Sequence, residues 1–89
     1  MNGNYTYIIK SKIKEKYYIG TSSNLVQRLK LHNEGHSKST KAFVPWEIVY
    51  SEKFATKHEA LKREKELKNM KSKKYLEWLI NNNSRGRPD

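Results

Sequence analysis

A carboxylate, a guanidinium, an imidazole and two phenols occupy positions in this chain where regular structure normally buries apolar side chains. Tyr7 lies in the run Tyr5-Thr6-Tyr7-Ile8-Ile9, and eleven residues later Tyr18-Ile19-Gly20 leads into a segment carrying Arg28 and His32. Alternation along extended strands puts Tyr5, Tyr7 and Ile9 on one face, and Tyr18 with Gly20 on one face of the next. Leu25, Arg28, Leu29 and His32 have the i, i+3, i+4, i+7 spacing of a helical stripe that faces a core. Glu64 stands three residues after Leu61 and three before Leu67, inside a stripe of Ala60, Leu61, Leu67 and Met70. Polar groups so placed need a partner or a function.

Each has a plain structural use beside a chemical one. Glu64 either pairs with Lys68 one turn on, for roughly 0.2–0.5 kcal/mol, or binds a hard cation such as Mg²⁺ that keeps most of its waters. Arg28 either bridges Glu34 or Glu52, or clamps a phosphate in a bidentate fork and stabilises charge building in a pentacoordinate transition state. His32 is either a satisfied surface histidine or a group that bonds a phosphate oxygen or nucleophile and helps to move a proton. Tyr7 and Tyr18 either pack a core with their hydroxyls at its edge, or do acid–base work. A phenol ionises near pH ~10, so the second use needs help from a cation such as Arg28 or from metal-bound water. The sole aspartate is Asp89 and the glutamates do not cluster, so a two-metal carboxylate cage does not fit, and one metal on one glutamate remains.

The elements that must position these groups read in order. Residues 5–10 and 16–21 form two strands of a hairpin with a polar loop, and Ser22, Ser23 and Asn24 offer N-caps for a helix to about Asn33, stopped by Gly35. Residues 36–44 read as an exposed basic loop suited to phosphates. Trp46–Phe54 is a third strand with Pro45 at its start. Thr56-Lys57-His58-Glu59 is a capping-box pattern opening a helix to about Asn69, and Ser72 caps a last helix presenting Leu76, Leu79 and Ile80. His36 and His58 belong to the surface. The order β-β-α-β-α-α makes a small α/β sandwich over residues 1–80, with a frayed tail at 81–89.

A chain of 89 residues supports one domain with a core of about one layer. The absence of cysteine excludes disulfides, thiolate nucleophiles and zinc fingers. No stretch has the length of a membrane span or the plan of a signal peptide, so the expected location is the cytoplasm and no membrane partner is expected. The net charge of +10 is concentrated: residues 10–41 carry eight basic and two acidic groups, and residues 57–74 carry eight and three. Two basic blocks call for a polyanion. Tyr17, Tyr18, Phe43 and Trp46 interleave with them and have two uses, stacking on bases or packing a core.

Taken together these residues resemble the GIY-YIG nuclease family, above all its small stand-alone bacterial members, which are related to the N-terminal nuclease domain of excision-repair endonucleases. Tyr18-Ile19-Gly20 matches the second half of the signature. Tyr5-Thr6-Tyr7 stands where Gly-Ile-Tyr would be and keeps only the tyrosine. Arg28 falls eight residues after Gly20, His32 four after that, and Glu64 stands where the family carries its metal-binding glutamate. Ser39-Thr40-Lys41 and Pro45-Trp46-Glu47-Ile48-Val49-Tyr50 also look like the small members, so the likeness covers roughly residues 4–80.

The resemblance implies a three-stranded antiparallel sheet flanked by helices. It implies a DNA endonuclease dependent on Mg²⁺ or Mn²⁺ with a role in DNA repair, in which Tyr7 activates the attacking water, Tyr18 positions it, Arg28 and His32 act on the phosphate, and Glu64 holds the metal. Gly20, Ser39, Thr40 and Lys41 are then nucleic-acid contacts. Repair members carry a lysine just after Tyr-Ile-Gly, where this chain has Thr21-Ser22-Ser23. The expected partner is DNA, with branched, damaged and single-stranded forms as candidates, together with a protein partner of unknown kind. The alternative is a catalytically weak or inactive nucleic-acid-binding module of the same fold; a basic RNA- or ribosome-associated protein would use the charge and ignore the constellation.

Overall fold

The structure, a computed structural model, describes residues 3–35, 38–70 and 72–82, apart from the side chain of Ser39. Three strands, β1 (Asn4–Ser11), β2 (Tyr17–Ser22) and β3 (Trp46–Phe54), form an antiparallel sheet in the order β2-β1-β3. Between β2 and β3 lie α1 (Leu25–Asn33) and a four-residue helix α2 (Lys38–Lys41); α3 (Lys57–Met70) and α4 (Lys73–Asn82) follow. This is the expected α/β order, with the short α2 added.

The central strand explains the layering. Thr6, Tyr7, Ile8 and Ile9 are all buried, because β1 has a neighbour on each side and helices on both faces. Ile8, Ile19 and Tyr50 meet Leu67 of α3 and Leu76 and Leu79 of α4 on one face. Tyr7, Ile9 and Trp46 meet Leu25 and Leu29 of α1, with Phe43 and Val44, on the other. The core is therefore two small clusters rather than the expected single layer. A bulge keeps both filled: Ile8 pairs with Tyr50 but Ile9 pairs with Ile48, so Val49 is the extra residue and β3 serves both faces.

Side chains placed by the sequence close the helices. Asn24 Oδ1 accepts from the Gln27 amide at 3.1 Å, and Gly35, with φ +76°, turns the chain after α1. Thr56 and Glu59 exchange reciprocal bonds at the start of α3, the Thr56 hydroxyl accepting from the Glu59 amide at 3.2 Å. Ser72 Oγ accepts from the Tyr75 amide at the start of α4. That helix reaches Asn82, two residues beyond the expected boundary, and the rest of the tail lies outside the described residues.

Three expectations are corrected. Of the loop expected at 36–44, the described residues 38–44 fold into α2 and the turn after it: Thr40 is fully buried, Phe43 and Val44 pack on the Trp46 cluster, and Trp46 is itself core, so it has no face to offer a base. The core stripe of α3 is Ala60 and Leu67 with Arg63 and Glu64 between them half-buried, whereas Leu61 and Met70 are exposed by 43% and 50%. Arg28 lies on the exposed flank of the α1 stripe rather than under it. For α3 and α1 a local apolar signal loses to where the neighbouring layer ends; for the segment around Thr40 a polar signal loses to the partners that draw it inward.

Two outcomes test this arrangement. Thr56→Ala should lower stability by about 1 kcal/mol in urea denaturation through loss of the cap. Gly20 pairs with Tyr7 across β1 and β2, and a Cβ there would lie 2.6 Å from the Tyr7 hydroxyl and 2.8 Å from Cζ. Because that ring is 2% exposed, Gly20→Ala should cost about 1–3 kcal/mol by overpacking; an unchanged denaturation midpoint would place the ring elsewhere.

Candidate active site

Tyr7 projects from β1 over the bare backbone of Gly20, and at the end of that path its hydroxyl lies 3.0 Å from Nε2 of the buried His32. The other ring nitrogen, Nδ1, is 3.4 Å from Thr40 Oγ1. Tyr18, two residues before Gly20 on the same face of β2, sets its ring edge-on to the imidazole with centroids 5.0 Å apart. Sheet and helix are locked in this relation by Asn33. Its side chain accepts from the Trp46 amide at 2.6 Å and donates to the Trp46 carbonyl at 3.2 Å, pinning the end of α1 to the start of β3. Trp46 Nε1 in turn donates to the Thr40 carbonyl at 2.9 Å, which holds α2 under the histidine.

The electrostatics of this cluster follow from burial. Desolvation, with smaller contributions from Tyr18 and Glu64, pushes the Tyr7 phenol well above the ordinary tyrosine range, and Arg28 only partly offsets it. The expected activation by Arg28 is thus present but outweighed. Burial, followed by the charge of Arg28, holds the His32 pKa below its usual value, so the imidazole is neutral at pH 7. In the tautomer protonated at Nδ1, which faces Thr40 Oγ1, the free Nε2 accepts from the Tyr7 O–H. In that tautomer His32 is placed to take the phenol's proton.

Glu64 reaches this cluster by another route. Helix α3 packs on the opposite face through Ala60 and Leu67, so Glu64 approaches around the edge strand β2 instead of from the face that carries His32. It pairs with Lys68 at 2.9 Å, and Lys68 Nζ lies 6.0 Å from the centroid of the Tyr18 ring. The glutamate side chain is 20% exposed, and its charge is felt at the Tyr7 hydroxyl. The five expected residues thus gather at the β2 edge, though not on one face of the sheet. Arg28 is exposed, and no carboxylate pairs with it among the described residues; of the two partners considered for it, Glu52 is taken by Arg63 at 3.1 Å.

Of the expected nucleic-acid contacts, Gly20 makes room for Tyr7, Thr40 is buried beneath His32, and Lys41 is exposed at the end of α2. The side chain of Ser39 and the whole of His36 lie outside the described residues. Sequence reasoning missed Asn33 as the clamp on β3 and Thr40 as a partner of His32. The i, i+8 spacing of His32 and Thr40 is no helical signal, and only folding the chain back through α2 joins them.

No group of three or more His, Cys, Asp or Glu side chains is assembled for a metal among the described residues. One half-buried carboxylate still fits Mg²⁺ or Mn²⁺, since such a cation keeps several waters and takes its remaining ligands from a phosphate. The exposed i, i+4 pair with Lys68 is a weak competitor. No helix among the described residues is long and apolar enough to cross a membrane.

Residues 3–76 match the GIY-YIG catalytic domain. The chain is 41% identical over 80 residues to a UPF0213 protein of Staphylococcus saprophyticus, covering 89% of this chain and 96% of that one. It is 40% identical over 77 residues to a UPF0213 protein of Clostridium perfringens, covering 85% and 82%. The solution NMR structure of a UPF0213 protein from Bacillus halodurans superposes with a TM-score of 0.57 at 30% identity, covering 97% of this chain and 88% of that one. The names of these relatives specify no activity, metal or mechanism, but the domain is that of a nuclease family whose members generally act on DNA. The tyrosines over Gly20 and the helix behind them are the local form of a shared design: the chain belongs to the GIY-YIG family.

Proposed function

We propose that this protein is a metal-dependent DNA endonuclease that hydrolyses a phosphodiester by attack of water, with Tyr7 and His32 as a proton-accepting pair. The observation that carries this reading is the 3.0 Å bond between a buried phenol and a neutral imidazole, next to an arginine with no carboxylate partner among the described residues. A phenol whose pKa is raised is a poor base alone. Coupled to His32 it accepts a proton from water as it gives its own to Nε2, so no phenolate builds up in a desolvated place. Tyr18 packs against the imidazole and borders the space in which that water is oriented. Arg28, open to solvent, clamps the scissile phosphate and stabilises charge on its oxygens. Glu64 would hold Mg²⁺ or Mn²⁺, which when bound supplies positive charge for the leaving oxygen. Lys41, at the exposed end of α2, is a peripheral phosphate contact.

The Glu64–Lys68 ion pair favours a second reading, a nucleic-acid-binding module in which Glu64 is purely structural. One experiment separates the two. In plasmid nicking with Mg²⁺ or Mn²⁺, Glu64→Ala should abolish cleavage yet leave affinity for duplex DNA nearly unchanged. Wild-type protein that binds DNA but never nicks it supports the module.

The same assay grades the other residues. Arg28→Ala and Tyr7→Phe should each reduce cleavage by on the order of 10² or more, as expected for groups acting on the transition state. His32→Ala should be similar or milder, and Lys41→Ala should weaken binding with little change in the rate for bound DNA. Circular dichroism on each variant separates lost chemistry from lost fold.

Affinity for duplex DNA should fall steeply with salt, log K decreasing linearly with log salt concentration as counterions are released. Binding insensitive to salt would rule out a phosphate-directed surface.

A further inference from the structure

An open groove of about 390 Å³ runs along the outer edge of β2, between that strand and the junction of α3 with α4. Its walls include Tyr17 and Tyr18 from β2, Leu67 and Lys68 from α3, and Ser72 and Lys73 around the start of α4. Two of these residues also belong to the active-site edge: Lys68 pairs with Glu64, and Tyr18 packs on His32. The groove therefore shares two of its walls with the active-site edge.

Its chemistry suits an anion attached to flat apolar groups. Among the described residues Lys73 pairs with Glu15, at 3.3 Å, with both side chains about half exposed or more, and Lys68 pairs with the half-buried Glu64. The exposed Lys73–Glu15 pair contributes little and exchanges readily for phosphate. Glu15 is shared between Lys73 and Lys10, so the carboxylate at this rim is outnumbered. Tyrosine rings beside lysines are the usual means of holding unpaired bases with their backbone. The volume lies within the range of about 300–1,000 Å³ typical of sites for small organic groups, enough for a nucleotide at a time.

We propose that this groove binds an unpaired DNA strand running from the scissile phosphate, so that the substrate of the nuclease carries a single-stranded segment on that side. Phosphates of the strand meet Lys68 and Lys73 in place of the glutamates, and bases lie against Tyr17 and Tyr18. The proposal deepens the nuclease reading and rests on it for the position of the scissile phosphate.

The test measures binding without cleavage. Fluorescence anisotropy with a labelled oligothymidylate, in EDTA, should show weaker binding for Lys73→Glu than for the charge-matched control Lys53→Glu on the opposite edge strand, by about tenfold or more. For Lys73→Ala, the slope of log K against log salt should fall by about 0.7, the loss of one phosphate contact to a single strand. Amide shifts in wild-type protein on adding the oligonucleotide should centre on Tyr17, Tyr18, Lys68 and Lys73. Equal losses in Lys73→Glu and Lys53→Glu, or shifts centred away from these residues, overturn the proposal. A wild-type protein that fails to nick any DNA while these binding effects hold would overturn the nuclease reading alone.

Discussion

The hydroxyl of Tyr7 is the constraint around which the rest of this protein is arranged. It is carried into the interior on the central strand, where an unpaired hydroxyl would cost about 1–3 kcal/mol, and its partner is a histidine from a different layer. Meeting that demand requires a glycine opposite, since any Cβ at position 20 would occupy the ring's path. It requires α1 to lie at a fixed height on the sheet, which Asn33 secures by bonding both backbone groups of Trp46. It also requires something beneath the imidazole, and α2 delivers Thr40 there. No buried side-chain polar atom among the described residues is left without a partner.

The two faces of the sheet bury polar groups to different ends. On the α3 and α4 face, Arg63 bonds Glu52 through a forked contact and Glu66 besides, while Glu52 also accepts from Tyr50. That network satisfies itself: burial and then Glu52 push the Tyr50 phenol up to about 12, keeping it a donor at neutral pH. On the α1 face the bonds stop short of closure. Tyr7, His32 and Thr40 satisfy one another, but Arg28 is exposed beside them and Glu64 comes round the sheet edge from the other layer. A cationic group near an unclosed chain of proton carriers is what a phosphate-directed site needs. A self-contained network is what a scaffold needs.

Much of the architecture was legible in the residues. The three strands, both capping patterns and the stop at Gly35 follow from local chemistry acting over a few residues, which is why Asn24, Thr56 and Ser72 sit where their types predict. Tyr7, Tyr18, Arg28, His32 and Glu64 were identifiable as polar intrusions into apolar patterns. The errors fell where a pattern was read without its neighbours. Leu61 and Met70 continue the apolar signal of α3, but the sheet beneath that helix is too narrow to cover them. The segment around Thr40 has the composition of a loop, yet it is drawn inward because Trp46 and His32 both need partners.

The sequence by itself determined which elements form and which side chains carry chemistry, because capping, alternation and turn geometry depend on atoms only a few bonds apart. Only the tertiary structure decided how those side chains are used. Whether Tyr7 is made a better or a worse base is the outcome of burial set against the charge of Arg28, and burial wins because the ring is enclosed by groups distant in the chain. Whether Glu64 joins the tyrosines from the same face or from around the edge depends on the width of the sheet and the path of α3. Such competitions are settled by desolvation and by distances between layers, quantities that exist only once the chain has folded.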